Sequence, residues 1–303
     1  MSSEEPRRRT FPVPEPLDLA RTVAALAHGT GDPTIHIDAN GLRRATRTSE
    51  GPATVCLQRD GARIHAAAWG PGAGVALEMV PSLLGADDDP RALATDHALL
   101  ATLQRRLPGL RMTRTGAMLE ALVPAVIEQK VTGVEARRAY RRLVRAFGAP
   151  APGPGDLLLP PEPSVLARLP YHAFHPLGLE RRRAETIRAA CAVAPALEQM
   201  LRLTPDQARH RLGLLPGVGP WTAAEATRTA MGDPDAVSVG DYHVPNLVCW
   251  ALAGEPRGSD ARMLELLEPY RGQRGRVVRL LELSGIRPPR YGPRQPPRHI
   301  SHL

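Results

Sequence analysis

The apolar positions change period several times in the first ninety residues. Leu17, Ala20, Val23, Ala24 and Ala27 recur at helical spacing and stop at Gly29 and Gly31, which predicts a short helix. Segments 34–38, 42–48, 53–59 and 62–69 instead read as strands, with hairpin turns at Asn40-Gly41 and Asp60-Gly61. Segment 74–84 returns to helix. From Pro90 onward the helical period dominates, predicting helices over 91–107, 118–130, 135–147, 164–169, 180–194, 204–212, 221–231, 242–253, 262–268 and 275–283. The expected fold class is α+β: a small N-terminal antiparallel sheet with helices, then an all-α core. The expected divisions are a mobile leader over 1–16, an α+β domain over 17–89, a helical core over 90–287 and a basic Pro/Arg-rich tail over 288–303. The proline-rich stretch 149–163 reads as a linker without chemistry.

The most informative stretch is 214–231, LLPGVGPWTAAEATRTAM. Thr204, Pro205 and Gln207 have the spacing of a capping box that opens one helix. Pro216, Gly217 and Gly219 then force a tight turn, and Pro220 suits the first position of the next helix. At that helix start the amides of Gly217, Gly219 and Trp221 lack intrahelical partners and lie at the positive end of the dipole, a ready site for a phosphate. An ordinary helix corner is the other reading of the same turn. Asp241, ahead of the predicted helix over 242–253, is likewise a cap or a catalytic group on local grounds.

Charge and cysteine content narrow the classes. The net charge of +8 suits a polyanionic partner, although a solvated basic surface gives the same sum. Lys130 is the single lysine, so the positive charge is almost all arginine. Five arginines of the helix over 135–147 oppose its apolar face and read as a solvated surface. Cys56, Cys191 and Cys249 are dispersed, which suggests reduced thiols in a cytoplasm and leaves too few ligands for an iron–sulfur cluster. His172 and His175 have no carboxylate or thiol companion and read as loop histidines. The opening residues lack the apolar core of a secretory signal, and no run is long enough to span a membrane.

LPGVGPWTA over 215–223 followed by VSVGDYH, with Asp241 placed 22 positions beyond Gly219, resembles the helix–hairpin–helix DNA glycosylases, in particular the 3-methyladenine DNA glycosylase II branch. The resemblance implies that Asp241 is catalytic, stabilising the positive sugar as the base–sugar bond breaks. It implies DNA binding by Gly217, Gly219, Trp221 and Thr222, and by Gln129 and Lys130 at the turn whose side chain fills the gap left by an extruded base. Trp221, Glu225 and Tyr242 fall on the substrate pocket. Trp221 stands where strand-cutting relatives carry a Schiff-base lysine, so a monofunctional enzyme is expected, leaving an abasic site. Glu225 replaces a frequent tyrosine, Gly240 replaces a frequent acid, and Lys130 replaces an apolar wedge. The backbone carbonyls of Gly213, Leu215 and Val218 match positions that hold a Na⁺ or K⁺ ion; no other cofactor is implied. The expected partner is double-stranded DNA with damaged, alkylated bases, bound by a monomer in the nucleoid-bearing cytoplasm. The alternative from another class is a non-catalytic DNA-binding protein with a degenerate pocket.

Overall fold

The computed structural model describes residues 5–39 and 41–289. Strands β1 (Arg7–Pro12), β2 (Ile35–Ile37), β3 (Gly41–Thr48), β4 (Gly51–Asp60) and β5 (Arg63–Trp69) form one antiparallel sheet in the order β1-β5-β4-β3-β2. The Asp60-Gly61 turn joins β4 to β5, with Asp60 opposite Arg63. Asn40 lies outside the described residues, but Ile37 pairs with Leu42 on either side of it. The alternation buries one face: Leu42, Val55, Leu57 and Ile64 pack against Leu19, Val23, Leu77 and Val80 from the flanking helices.

Three expectations need correction. Residues 7–12 are an edge strand rather than part of a mobile leader. Their arginines face solvent, as an edge permits, while Phe11, Val13 and Leu17 enter the core. The helix expected over 91–107 is α-helical only over Ala98–Arg106, after a 3₁₀ turn at Pro90–Ala92. The amide of His97 bonds instead to the Thr95 hydroxyl, a local alternative to helix. The proline-rich stretch is seated on the sheet: Leu157 and Leu159 are buried with Ala45, and the Leu158 amide donates to Pro33.

The helical part has two apolar cores. One gathers Leu122, Leu143, Phe174, Ile187, Leu212 and Ala226 from helices lying between residues 118 and 231. The other combines Leu100 and Leu103 with Val248, Met263, Val277 and Leu281. Each fully buried leucine or isoleucine contributes about 1.5–3 kcal/mol by leaving water. The chain thus leaves the second core, builds the first, and crosses back over 232–243. Asp241 lies on that crossing. The sheet is fixed to the first core through Glu120, which accepts from Arg44 Nη2 at 2.7 Å, Thr46 Oγ1 at 2.8 Å and the Arg47 amide at 2.7 Å. Among the described residues no helix is long and apolar enough to cross a membrane.

Candidate active site at the hairpin and Asp241

Helices Pro205–Leu212 and Pro220–Met231 flank the hairpin. The first carries the capping box read from sequence, with Thr204 and Gln207 exchanging side-chain and backbone bonds. Gly217 has φ +86°, and a Cβ there would lie 2.0 Å from Thr186 Oγ1, so only glycine fits. Gly219 meets nothing within 4 Å in the direction of a Cβ. No side chain caps the second helix. The N–H groups of Gly217, Gly219, Trp221 and Thr222 have no acceptor among the described residues, and only that of Val218 turns inward, onto Leu215. An open, uncapped helix start of this kind is an anion site.

Trp221 connects this turn to the acid. Its Nε1 donates to Asp241 Oδ2 at 3.0 Å. Asp241 Oδ1 accepts from the amides of His243 at 2.7 Å and Val244 at 2.9 Å, so the half-buried carboxylate caps helix Val244–Ala253 from two residues ahead of its N-cap, His243. The cap reading and the functional reading both hold, because the two oxygens are used separately.

One turn beyond Trp221, Glu225 accepts from the Ser238 hydroxyl and from Arg228. Arg228 also faces Glu282, whose other oxygen meets Arg279 Nη1 at 3.3 Å. Opposite this face, helix Met118–Ile127 ends at Glu128. The buried Arg183 donates to the Ile127 carbonyl at 2.7 Å and closes that end. Gln129 Nε2 then donates to the Gly217 carbonyl at 2.9 Å and to Thr222 Oγ1 at 2.8 Å, tying this turn to the hairpin. Burial pushes the Glu128 carboxyl up to about 7; Glu225 and Asp241 add to the rise, while Arg228 and Arg137 oppose it. A groove of about 540 Å³ lies beside the hairpin, bordered by Gly219, Pro220, Val237 and Val239, with Arg209 and Arg274 on its rim.

Residues 123–271 match the family model described as HhH-GPD superfamily base excision DNA repair protein. This segment of the chain belongs to the HhH-GPD superfamily. It is 34% identical over 166 residues to the bifunctional transcriptional activator/DNA repair enzyme AlkA of Mycobacterium tuberculosis, a match that covers 54% of this chain and 31% of that protein. It is 26% identical over 177 residues to DNA-3-methyladenine glycosylase 2 of Escherichia coli, covering 58% of this chain and 61% of that one. The chain therefore spans less than two thirds of these curated relatives. The structure of a 3-methyladenine DNA glycosylase from Archaeoglobus fulgidus has the same fold, with a TM-score of 0.78, 18% identity and coverage of 90% of this chain and 97% of that one.

Within this superfamily fold, several expected roles change. Gln129 Nε2 and Thr222 Oγ1 bond to each other and hold two turns together, and Thr222 keeps its amide for an anion. Lys130 is exposed at the tip of its turn, in the left-handed region at φ +53°. Tyr242 is 81% exposed and edge-on to His243, outside the enclosed part of the pocket, because Asp241 turns inward and its neighbour turns out. Glu225 is engaged by Arg228 and Ser238 rather than free. His172 lies in the short helix Tyr171–Phe174 and His175 opens the 3₁₀ turn His175–Leu177, where its Nδ1 is 3.0 Å from the Tyr171 hydroxyl, so neither is a loop histidine. Sequence reasoning missed Glu128, Arg228 and Ser238. A signal for Glu128 was present: an acid at the negative end of an apolar helix opposes the dipole.

Proposed function

We propose that this protein is a monofunctional DNA glycosylase of base excision repair that flips out alkylated bases of the 3-methyladenine type and hydrolyses their bond to the sugar. The observation that carries the reading is the single unit made by the open Gly217–Gly219 turn, Trp221 and Asp241, joined by the 3.0 Å bond from indole to carboxylate. The amides of Gly219 and Trp221 grip a backbone phosphate beside the lesion. Lys130, projecting from the opposite turn, fills the gap in the duplex with its methylenes. Trp221 offers an aromatic face to a cationic base. As the base departs, positive charge develops on the sugar, and the oriented Asp241 carboxylate stabilises it and positions the attacking water. The relatives named for 3-methyladenine repair support the substrate class.

The carbonyls of Gly213 and Val218 accept no hydrogen bond among the described residues, whereas that of Leu215 accepts one from Val218. These residues fit a monovalent cation, which would brace the hairpin; Gly213, Leu215 and Val218 would hold it through backbone oxygen. The expected setting is a monomer acting on double-stranded DNA in the cytoplasm. The exposed Tyr242 and the engaged Glu225 favour a second reading, a DNA-binding protein without catalysis.

Methylated duplex DNA incubated with the protein tests the choice. The expected products are free methylated base and abasic sites in an uncut strand, with no adduct on borohydride treatment. Duplex binding without base release supports the second reading. A borohydride adduct that disappears in Lys130→Ala shows a strand-cutting enzyme.

A further inference from the structure

The arginine row of helix Gly133–Phe147 has no task in the scheme above, yet it begins beside the turn that carries Lys130. Arg137, Arg141 and Arg145 stand four residues apart and so share one face. None of the three forms a hydrogen bond or an ion pair with any described residue. Elsewhere exposed arginines are matched by an acid one turn away: Arg21 by Asp18, Arg181 by Glu185, Arg271 by Glu268. Here like charges repeat at that spacing, which weakens a helix rather than supporting it. Two of these arginines lie across glycines of the loop over 28–32. A Cβ on Gly29 would collide with Arg137 Cδ, and one on Gly31 would stand 3.3 Å from Arg141 Nη1. Arg137 continues to the head of its own helix, where its Nη1 is 3.0 Å from the place a Cβ on Gly133 would take.

The loop is fixed before any ligand arrives. Gly29 and Gly31 have φ +86° and +78°, a backbone that glycine adopts freely. The buried Asp32 carboxylate accepts from the His28 amide at 2.7 Å, and from the Thr34 amide and hydroxyl at 2.8 Å each. The His28 ring packs on Tyr140 of the arginine helix with centroids 4.4 Å apart, and its Nδ1 lies 4.0 Å from the Glu128 carboxylate. That approach sets the loop against the turn that carries Lys130. The amides of Gly29, Thr30 and Gly31 have no acceptor among the described residues, and Thr30 and Gly31 are exposed. The acids nearby leave the arginines uncompensated. Asp32 is spent on its own loop, Glu135 on the Thr132 cap, and Glu128 faces Arg137 without pairing with it.

Resting on the DNA-binding part of the glycosylase reading, we propose that Arg137 and Arg141, seated on the Gly29–Gly31 loop, form a second phosphate site that holds the duplex backbone apart from the Gly217–Gly219 turn. The ligand is a phosphodiester. A planar guanidinium donates two hydrogen bonds to one phosphate, and the open amides of a glycine turn suit the same anion. The hairpin reaches the Lys130 turn through Gln129, and the glycine loop reaches it through Glu128 and Gly133. Lys130 thus has an anion site on each of the two elements that touch its turn. A side chain driven into a duplex is pushed back by the stacked bases, and a second hold on the backbone keeps the bent DNA seated against it.

The test measures affinity for a duplex with one abasic site across about 50 to 200 mM salt. Replacing both arginines, Arg137→Gln with Arg141→Gln, lowers the slope of log affinity against log salt by about 1.8, the share of two phosphate contacts. Affinity for undamaged duplex falls in parallel. Arg181→Gln removes an exposed but paired charge and leaves the slope unchanged. Thr30→Glu sets an acid on the loop and weakens binding by about tenfold. Ethylation interference on the wild type finds two separate clusters of phosphates, and the double variant loses one of them. A wild type with a single cluster overturns the inference even where the double variant fails to fold. An unchanged slope in the folded double variant, an equal fall in Arg181→Gln, or wild-type affinity in Thr30→Glu also overturns it, and each leaves the glycosylase reading standing. A wild type that binds no duplex overturns both.

Discussion

Two turns face the cleft, and they are built on opposite terms. The turn at 213–220 follows local preference throughout. Glycine stands where φ is positive, proline opens the next helix, and the amides left over form the anion site. The turn at 128–132 breaks local preference twice. Glu128 opposes the negative end of its helix, and Lys130 takes a left-handed backbone that costs a side-chain residue about 1–2 kcal/mol. Tertiary bonds impose that geometry: Arg183 on the Ile127 carbonyl, and Gln129 on Gly217 and Thr222. The first turn is preformed, with its amides open. The second is strained into place by its partner, as functional turns often are.

The largest break in this comparison comes from spoiling that open turn without touching the fold. A Cβ at Gly219 meets nothing within 4 Å, so Gly219→Glu can be placed without a backbone clash and sets a carboxylate at the proposed phosphate site. Like charges in contact cost several kcal/mol, so affinity for any duplex falls by about 10²-fold or more while the unfolding temperature holds. Fluorescence anisotropy and a thermal melt check both parts. A smaller effect sharpens the dependence of the second turn on the first. Gln129→Ala removes two hydrogen bonds and leaves the buried Thr222 hydroxyl and the half-buried Gly217 carbonyl unmatched, which costs about 1–2 kcal/mol in denaturant melts. Excision falls further than that loss alone explains, since Lys130 loses its anchor; Lys130→Ala, which leaves the bridge intact, gives the reference for the wedge side chain.

The same contrast explains what the sequence made legible. The hairpin, its capping box, the strand pairs and the family followed from local chemistry and spacing at Thr204, Gly217, Gly219, Asp60-Gly61 and Asp241. The edge strand at 7–12 was hidden because an edge tolerates Arg7 to Arg9 without alternation. Leu157 and Leu159 looked like linker because their partner, Ala45, is a hundred residues away in the chain. The bonds from Gln129 to Gly217 and Thr222 were hidden because those acceptors are also distant in sequence. Glu128 carried a local anomaly, but its neighbours Glu225 and Asp241 come together only in the fold. Burial that depends on a remote partner leaves no periodic trace.

The most direct measurement of the central claim is single-turnover base release by Asp241→Asn beside its affinity for duplex containing an abasic site. Asparagine removes the charge and keeps one oxygen, which can accept from Trp221 or from the His243 and Val244 amides but not from both. Release falls by at least about 10²–10³-fold while affinity is preserved. Release at the wild-type rate would contradict the account, since the positive sugar would then be stabilised by some group other than Asp241.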